Sequence, residues 1–218
     1  MHITQRGVNR GAVFVDDDDR MHYLDLVAVA FADLSVALHA YALMGNHVHL
    51  LATATERGQA SSAMRRIGQA YVPYFNRRHR RTGTLWEGRF KSCLVDHDTY
   101  MMRAYRYVDL NPVRAGMVAS AARYRWSSAC GNLGLTLDPL LTPHDVYTSL
   151  GSDARARAEG YARWLSEGIS EDELQDIRRH AAQERALGST RFQSMVEKAL
   201  NRPVAWRPPG RASRGVGS

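Results

Sequence analysis

Met44-Gly45-Asn46-His47-Val48-His49-Leu50 joins two apolar-rich runs through a Gly-Asn pair, the signature of a two-residue hairpin with glycine first. It predicts antiparallel strands over Val36–Met44 and His47–Ala54. Before them, Met21–Leu34 places Leu24, Val27, Ala28 and Phe31 on one helical face. The four carboxylates Asp16–Asp19 resemble a metal site, but at a helix start they cap free N–H groups and suit the helix dipole, which is the expected role. After the hairpin, Gln59 to about Arg78 predicts a second helix that Pro73 kinks or interrupts. Asp98–Leu110 predicts a third, stopped by Asn111-Pro112. Ile3–Val15, broken by Gly7 and Gly11, and Arg89–Val95 complete the strands. Strands and helices alternate, yet the hairpin demands antiparallel pairing. The expected class is therefore α+β, a sheet layered with helices, and not a doubly wound parallel sheet.

The chain has 218 residues, enough for one main domain and an accessory segment. The main domain is expected over residues 1–132. After about Leu133, Pro139 and Pro143 punctuate a linker. Three helical patterns follow, Asp145–Leu150 with Asp153–Leu165, Glu171–Ala186 and Ser189–Leu200, giving a helical accessory region over 133–201. Residues 202–218 are basic and rich in proline and glycine, and read as a disordered tail. Hydrophobic content of 44% fits a globular protein. No apolar run approaches the roughly 20 residues that span a bilayer, and Met1–Arg6 has no signal-peptide core. Cys93 and Cys130 form no spacing motif, as suits a reducing compartment. Membrane, secreted and fibrous classes are thereby set aside, and a cytoplasmic location is expected.

Formal net charge is +7, and it is concentrated. Arg65, Arg66, Arg77, Arg78, Arg80, Arg81, Arg89 and Lys91 stand against the single acid Glu87 between positions 65 and 91, a local excess equal to that of the whole chain. Arginine matches phosphate oxygens as a planar fork. Tyr71, Tyr74, Phe75, Trp86 and Phe90 are interleaved, as where bases stack while phosphates are neutralised. A solvated helix face is the plainer reading. Because the cluster holds all the excess and carries aromatics, nucleic-acid contact is preferred.

His47-Val48-His49 puts two imidazoles on one face of a strand, the geometry for two ligands of one divalent metal. Two ordinary histidines on a hairpin give the same pattern. Tyr107 and Asn111 lie four apart on the third helix, about 40° around its axis, and so share a face. Tyr105 falls on the wrong side and Tyr100 too far along the axis. On spacing alone the plainer reading, Tyr107 as a core aromatic and Asn111 as a helix-ending residue, is preferred. Together, the four residues suggest a chemistry. A phenol titrates near 10, so it attacks phosphorus readily only where a metal withdraws charge from the phosphate. Attack leaves a phosphotyrosine and a sugar hydroxyl, a linkage a second hydroxyl can reverse. No Walker-type loop, HExxH helix, GxSxG elbow or paired-cysteine site competes.

These residues resemble the HUH-type single-tyrosine DNA transposases, and within them the REP-associated tyrosine transposases. The matching stretches are Arg6–Arg10, Met44–Leu50, Gly83–Lys91, Tyr105–Gly116 and Trp126–Ser128, in the family's order over roughly residues 1–130. The Phe192 helix and the Arg202-Pro203 to Gly210-Arg211 ending resemble longer members. The resemblance implies a ferredoxin-like α+β catalytic domain, an HUH nuclease, followed here by the helical region. It implies action on single-stranded or hairpin DNA such as REP-like palindromes, and a nucleoid-associated location. Tyr107 carries over as nucleophile and His47 and His49 as catalytic metal ligands. Asn111 carries over as third ligand, although insertion-sequence relatives commonly have Gln there. The implied ion is Mg²⁺ or Mn²⁺. Arg6, Asn9 and Arg10 match a segment that reads a guide sequence beside the hairpin; as plain structure they form a glycine-broken edge strand. Arg65, Arg66, Arg77, Arg78, Arg80, Arg81, Trp86, Arg89 and Lys91 are the further candidate DNA contacts. A non-catalytic nucleic-acid-binding regulator of the same fold is the alternative, since the arginine cluster needs no active site. A hydrolase that activates water at His47 and His49 is a third reading. Monomer and homodimer both stay open.

Overall fold

A computed structural model describes residues 1–97 and 99–206. Four strands, β1 (His2–Arg6), β2 (Val36–Leu43), β3 (His47–Ala54) and β4 (Lys91–Cys93), form one sheet in the order β2-β3-β1-β4. Every neighbouring pair is antiparallel. Helices α1 (Asp17–Asp33) and α2 (Gln59–Arg78) lie on one face, and α3 (Thr99–Asp109) on the other. The order β1-α1-β2-β3-α2-β4-α3 on this sheet is the ferredoxin-like α+β arrangement expected from the hairpin.

The two-residue period of the strands divides the core in two. Ile3, Val48, Leu50 and Ala52 point to α1 and α2 and pack with Tyr23, Val27, Phe31, Ile67, Tyr71 and Phe75. Ala40, Ala42 and Leu51 point the other way and pack under Met101, Tyr105 and Val108 of α3. A bulge at His39 lets β2 switch faces between Leu38 and Ala40. On α1 the buried stripe is Tyr23, Val27, Ala30 and Phe31, rotated from the expected one, with Leu24 and Ala28 half-buried.

Several boundaries differ from the sequence reading for local reasons. The hairpin is present, but Gly45 does not adopt the left-handed conformation of a glycine-first turn. Its carbonyl instead accepts the Val13 and Phe14 N–H groups at 2.9 and 3.3 Å, and Asn46 O accepts Gly7 N–H at 2.9 Å. The β1–α1 connection thus shapes the tip. β1 stops at Arg6 because the chain turns sharply there. A Cβ on Gly7 would sit 2.3 Å from Gly11 O, and Asn9 and Arg10 take φ of 53° and 58°. The expected strand over Arg89–Val95 shrinks to Lys91–Cys93, since beyond it Leu94 and Asp96 bond Leu187 instead. Pro73 neither breaks nor ends α2; it lies on the solvent side of the helix, where water can serve the carbonyl it leaves unpaired. Asp98, the expected start of the third helix, and residues 207–218 of the expected tail lie outside the described residues.

The chain after α3 does not leave the sheet. Short helices α4 (Asn111–Arg114) and α5 (Ala129–Asn132) follow directly. Between them Tyr124 OH donates to Leu43 O at 2.6 Å and Leu43 N–H donates to Trp126 O at 2.9 Å. The proline-marked segment is tied down rather than free: Thr142 N–H donates to Leu38 O at 2.7 Å, covering part of the open β2 edge. Helices α6 (Asp145–Thr148), α7 (Ala154–Ser166), α8 (Glu171–Ala182) and α9 (Thr190–Leu200) complete the chain. The pattern expected to run to Ala186 ends at Ala182. Glu184, at φ 53°, then turns the chain back toward β4.

Asp109 joins these parts. Fully buried, it accepts from Ser128 Oγ at 2.5 Å, Tyr161 OH at 2.7 Å and Asn132 Nδ2 at 3.1 Å. Burial pushes its carboxyl up to about 6 against the pull of those three donors. Asp109→Ala leaves all three donors without their acceptor and is expected to lower the unfolding free energy by roughly 3–5 kcal/mol in urea denaturation. The folded pKa lies above the roughly 3.9 of a free aspartate, so ionisation costs stability as pH rises from about 4 through about 6. Asp109→Asn, which cannot ionise, should show a flatter stability profile across that window.

Candidate active site

Register places the candidate side chains before any question of chemistry arises. Arg6 pairs with His47 and Thr4 with His49 across β1 and β3, while Thr4 pairs with Lys91 and His2 with Cys93 across β1 and β4. His2, Thr4, Arg6, His47, His49 and Lys91 therefore project from one face, the face that α3 covers. At the end of α3, Tyr107 turns onto this row. Its ring meets His2 and His49 edge-on at centroid distances of 5.5 and 5.6 Å. His47 and His49 stand 5.0 Å apart, also edge-on. The cleft in front has a volume of about 400 Å³. β1 lines it with Thr4, Gln5 and Arg6, β3 with His47 and His49, and α3 with Tyr107. The β4 side adds Glu87, Gly88, Arg89 and Lys91, and α8 adds Arg178, Ala181 and Ala182.

The imidazoles are set up as lone-pair donors. His47 Nδ1 lies 2.6 Å from Asn46 Oδ1, an acceptor, so Nδ1 carries the proton and Nε2 presents its lone pair. His49 Nδ1 lies 2.9 Å from His2 Nε2, beneath a stacked contact of 5.1 Å. When that bond is donated from His49, its Nε2 is a lone-pair donor too. Burial, helped by the Arg6 charge, takes His47 down to about 4. Burial and the neighbouring histidines hold His49 well below the ordinary range, and burial takes His2 to about 3. All three are thus neutral near pH 7, as metal ligation requires. Two neutral imidazoles fit a divalent ion whose other positions go to water and phosphate oxygens. Among the described residues no group of three His, Cys, Asp or Glu side chains could hold a metal.

The other sequence candidates divide. Arg6, Arg89 and Lys91 line the cleft. Asn9 and Arg10 are exposed on the left-handed turn after β1, which Asn46 Nδ2 steadies by donating to Arg10 O at 3.1 Å. Asn111 opens α4, is buried, and does not line the cleft. Arg65, Arg66, Arg77, Arg78, Arg80 and Arg81 lie on α2 or just after it, on the opposite side of the sheet.

Two of those arginines already have partners. Arg66 pairs with Asp33 at 2.6 Å, and Arg78 reaches Asp16, Asp18 and Asp19 at 2.6, 2.8 and 2.8 Å. The capping expectation for Asp16 holds, since it accepts Asp19 N–H at 3.1 Å. The same acids also neutralise Arg78. Burial pushes the Asp19 carboxyl up, but donation from Val15 N–H, His79 and Arg78 outweighs it and holds the group low. The stacking argument needs a correction. Tyr71, Phe75 and Trp86 are buried in the α1–α2 core, with Trp86 against Tyr23 and Tyr71. Their interleaving with arginine is the period of an amphipathic helix and its connection, so Trp86 offers no face to a base.

Sequence reasoning missed three residues. His2 was readable, because His2-Thr4-Arg6 alternates in step with His47-Val48-His49. Arg114 places its guanidinium 4.4 Å from the Tyr107 ring centroid and donates to Tyr107 O at 3.1 Å; seven residues, two helical turns, separate the two. Arg178 comes from a helix whose docking nothing local announces.

Comparison with known proteins bears on the family and the fold. The family described as "Transposase IS200 like" matches residues 1–111. Among solved structures, a REP-associated tyrosine transposase bound to a REP hairpin is similar in fold, with 18% identity and a TM-score of 0.52. The match covers 66% of this chain and 85% of that one. A comparison with curated proteins gave no match. If His47 and His49 hold a divalent ion, His2→Ala, which removes the hydrogen-bond partner of His49, is expected to weaken Mn²⁺ binding by about 10–100-fold in calorimetric titration. Unchanged affinity would mean that His49 keeps its orientation without it.

Proposed function

The chain belongs to the IS200-like transposase family, and on that premise we propose that it cleaves and rejoins single-stranded DNA beside a hairpin through a covalent bond to Tyr107. One observation carries the reading: Tyr107 meets the His47/His49 pair at the floor of a cleft rimmed by Arg6, Arg89 and Lys91. A phenol, two neutral imidazoles and a cationic rim together suit phosphoryl transfer.

His47 and His49 would hold a divalent ion, Mg²⁺ or Mn²⁺. When bound, it supplies Lewis-acid polarisation of the scissile phosphate. Asn111 would complete the ligand set only by moving toward the cleft. The chain's own residues do the rest. Arg6, Arg89 and Lys91 hold phosphates of the single strand. Arg114, whose guanidinium lies 4.4 Å from the Tyr107 ring centroid, packs on the ring and holds it in place. Tyr107 Oη attacks phosphorus as its proton leaves. The phosphorus–oxygen bond to the sugar breaks, and the sugar oxygen departs as a hydroxyl after taking up a proton. The phosphotyrosine that remains keeps the linkage energy, so a second sugar hydroxyl reverses the step and joins a new strand.

For the partner, the REP hairpin of the structurally similar transposase supports hairpin DNA. Asn9 and Arg10 on the steadied turn, with Arg65, Arg77 and Arg80 on the α2 side, offer contacts to its phosphates. Residues 1–132 would form the catalytic unit, with the helices of 133–201 as an accessory region docked on it. Among the described residues, no helix is long and apolar enough to cross a membrane.

The test uses end-labelled hairpin DNA with single-stranded flanks and Mn²⁺, resolved on a denaturing gel. The wild type is expected to give a labelled protein band. Tyr107→Phe is expected to abolish it while keeping DNA affinity within about fivefold, since a phenol hydroxyl contributes about 1 kcal/mol or less to binding. A band that survives in Tyr107→Phe removes the nucleophile assignment. Metal-independent binding without any band, across both ions, favours a regulator that keeps the fold.

A further inference from the structure

We propose that Arg178 of α8 is a phosphate-binding residue of the catalytic cleft, so that the C-terminal helical region forms one wall of the groove that takes the single strand. The inference rests on the reading above and extends it to a part of the chain beyond the family match, which ends at residue 111.

The wall is placed by geometry. Arg178, Ala181 and Ala182 are three and four residues apart on α8, one helical face, and that face lines the cleft. Two alanines next to an arginine leave room for a sugar–phosphate backbone beside a cation. α8 is fixed to the helix that carries Tyr107. Glu173 takes Arg106 Nη2 at 3.2 Å and Arg103 Nε at 3.0 Å. Arg106 is buried, and its guanidinium lies 4.0 Å from the Trp164 ring centroid. At the far end of α8, Lys91 Nζ donates to Ala182 O at 3.5 Å. Arg178 is therefore anchored from both sides relative to Tyr107.

Charge supplies the second argument. The ion pairs of α8 use Glu173 and Asp176; Arg178 is exposed and pairs with no acid among the described residues. It lies close enough to Arg114 for the two positive charges to repel, and Arg114 Nε is buried without a partner. Arg6, Arg89, Lys91 and Arg178 face the cleft against the single acid Glu87. Like charges gathered around a nucleophile are relieved by an anion seated between them, and a DNA phosphate is that anion.

The test measures binding of the full chain, in a Tyr107→Phe background so that no chemistry intervenes. Two DNAs are compared, a hairpin with a single-stranded flank and the same hairpin without it, from about 50 to about 200 mM salt. For flanked DNA, Arg178→Ala is expected to lower affinity about fivefold and to reduce the slope of log affinity against log salt by about 0.7, one phosphate contact on a single strand. Arg178→Lys should keep the slope, because it keeps the charge. Arg179→Ala should change nothing, since that side chain bonds Gln175 at 3.0 Å and stacks toward Trp206. Thermal unfolding should match the parent for all three.

An unchanged slope for Arg178→Ala on flanked DNA overturns the proposal, and so does an equal loss on the bare hairpin. Absence of any binding by the parent overturns it together with the reading it rests on. Wild-type chain that binds but forms no covalent product removes only the strand-transfer reading, and the slope still decides Arg178.

Discussion

Antiparallel pairing of β1 with β3 is the constraint on which the rest of the site depends. Side chains alternate between the faces of a sheet, so the register that sets Arg6 against His47 and Thr4 against His49 aligns five polar groups in one row. A slip of one residue would turn both histidines into the α1–α2 core and expose Val48 and Leu50. The register is held at the tip, where backbone carbonyls of Gly45 and Asn46 accept three N–H groups from the β1–α1 connection. The conformation of that connection is paid for by two residues in the left-handed region, Asn9 and Arg10. Strain there and alignment of the histidines are two ends of one hydrogen-bonded unit.

The second constraint is that Tyr107 must stay over this row while sitting near the end of a helix. Three buried polar anchors on α3 achieve it. Arg106 reaches Trp164, Glu167 and Glu173, Asp109 gathers Ser128, Asn132 and Tyr161, and Tyr105 OH accepts from His144 N–H at 3.3 Å. Apolar packing alone permits a helix to rotate or slide at small cost. Directional bonds in a low-dielectric interior do not, because a broken one leaves a buried group without its partner. The helices after α3 therefore fix the azimuth of Tyr107 as well as covering the sheet.

Legibility in the sequence followed interaction range. The hairpin and the span of α2 could be read because local pattern sets them. That His47 and His49 share a strand face could be read from the strand period, whereas the candidate roles of these histidines and of Tyr107 came from the family resemblance. What could not be read depended on contacts distant in the chain. The strand expected over Arg89–Val95 was cut short by Leu187, and the linker around Pro143 became an edge cover by bonding Leu38. Arg178 reached the cleft through Arg103 and Arg106. Trp86 and the α2 aromatics were misread for a related reason: composition registers that arginine and aromatic residues alternate, whereas burial depends on which face of the helix meets the sheet.

Charge behaves the same way. The sequence has its whole excess between positions 65 and 91, but folding redistributes it. The acidic start of α1 takes up Arg78, and Asp33 takes up Arg66. What remains lies on two surfaces separated by a layer of sheet, one on the α2 side and one around the cleft. The end of the sheet at Arg6 and His47 is held by backbone hydrogen bonds. There Val8 N–H donates to Leu85 O and Glu87 N–H to Arg6 O, which locks the Asn9–Arg10 turn to the loop that follows α2. That end is also where His47 stands.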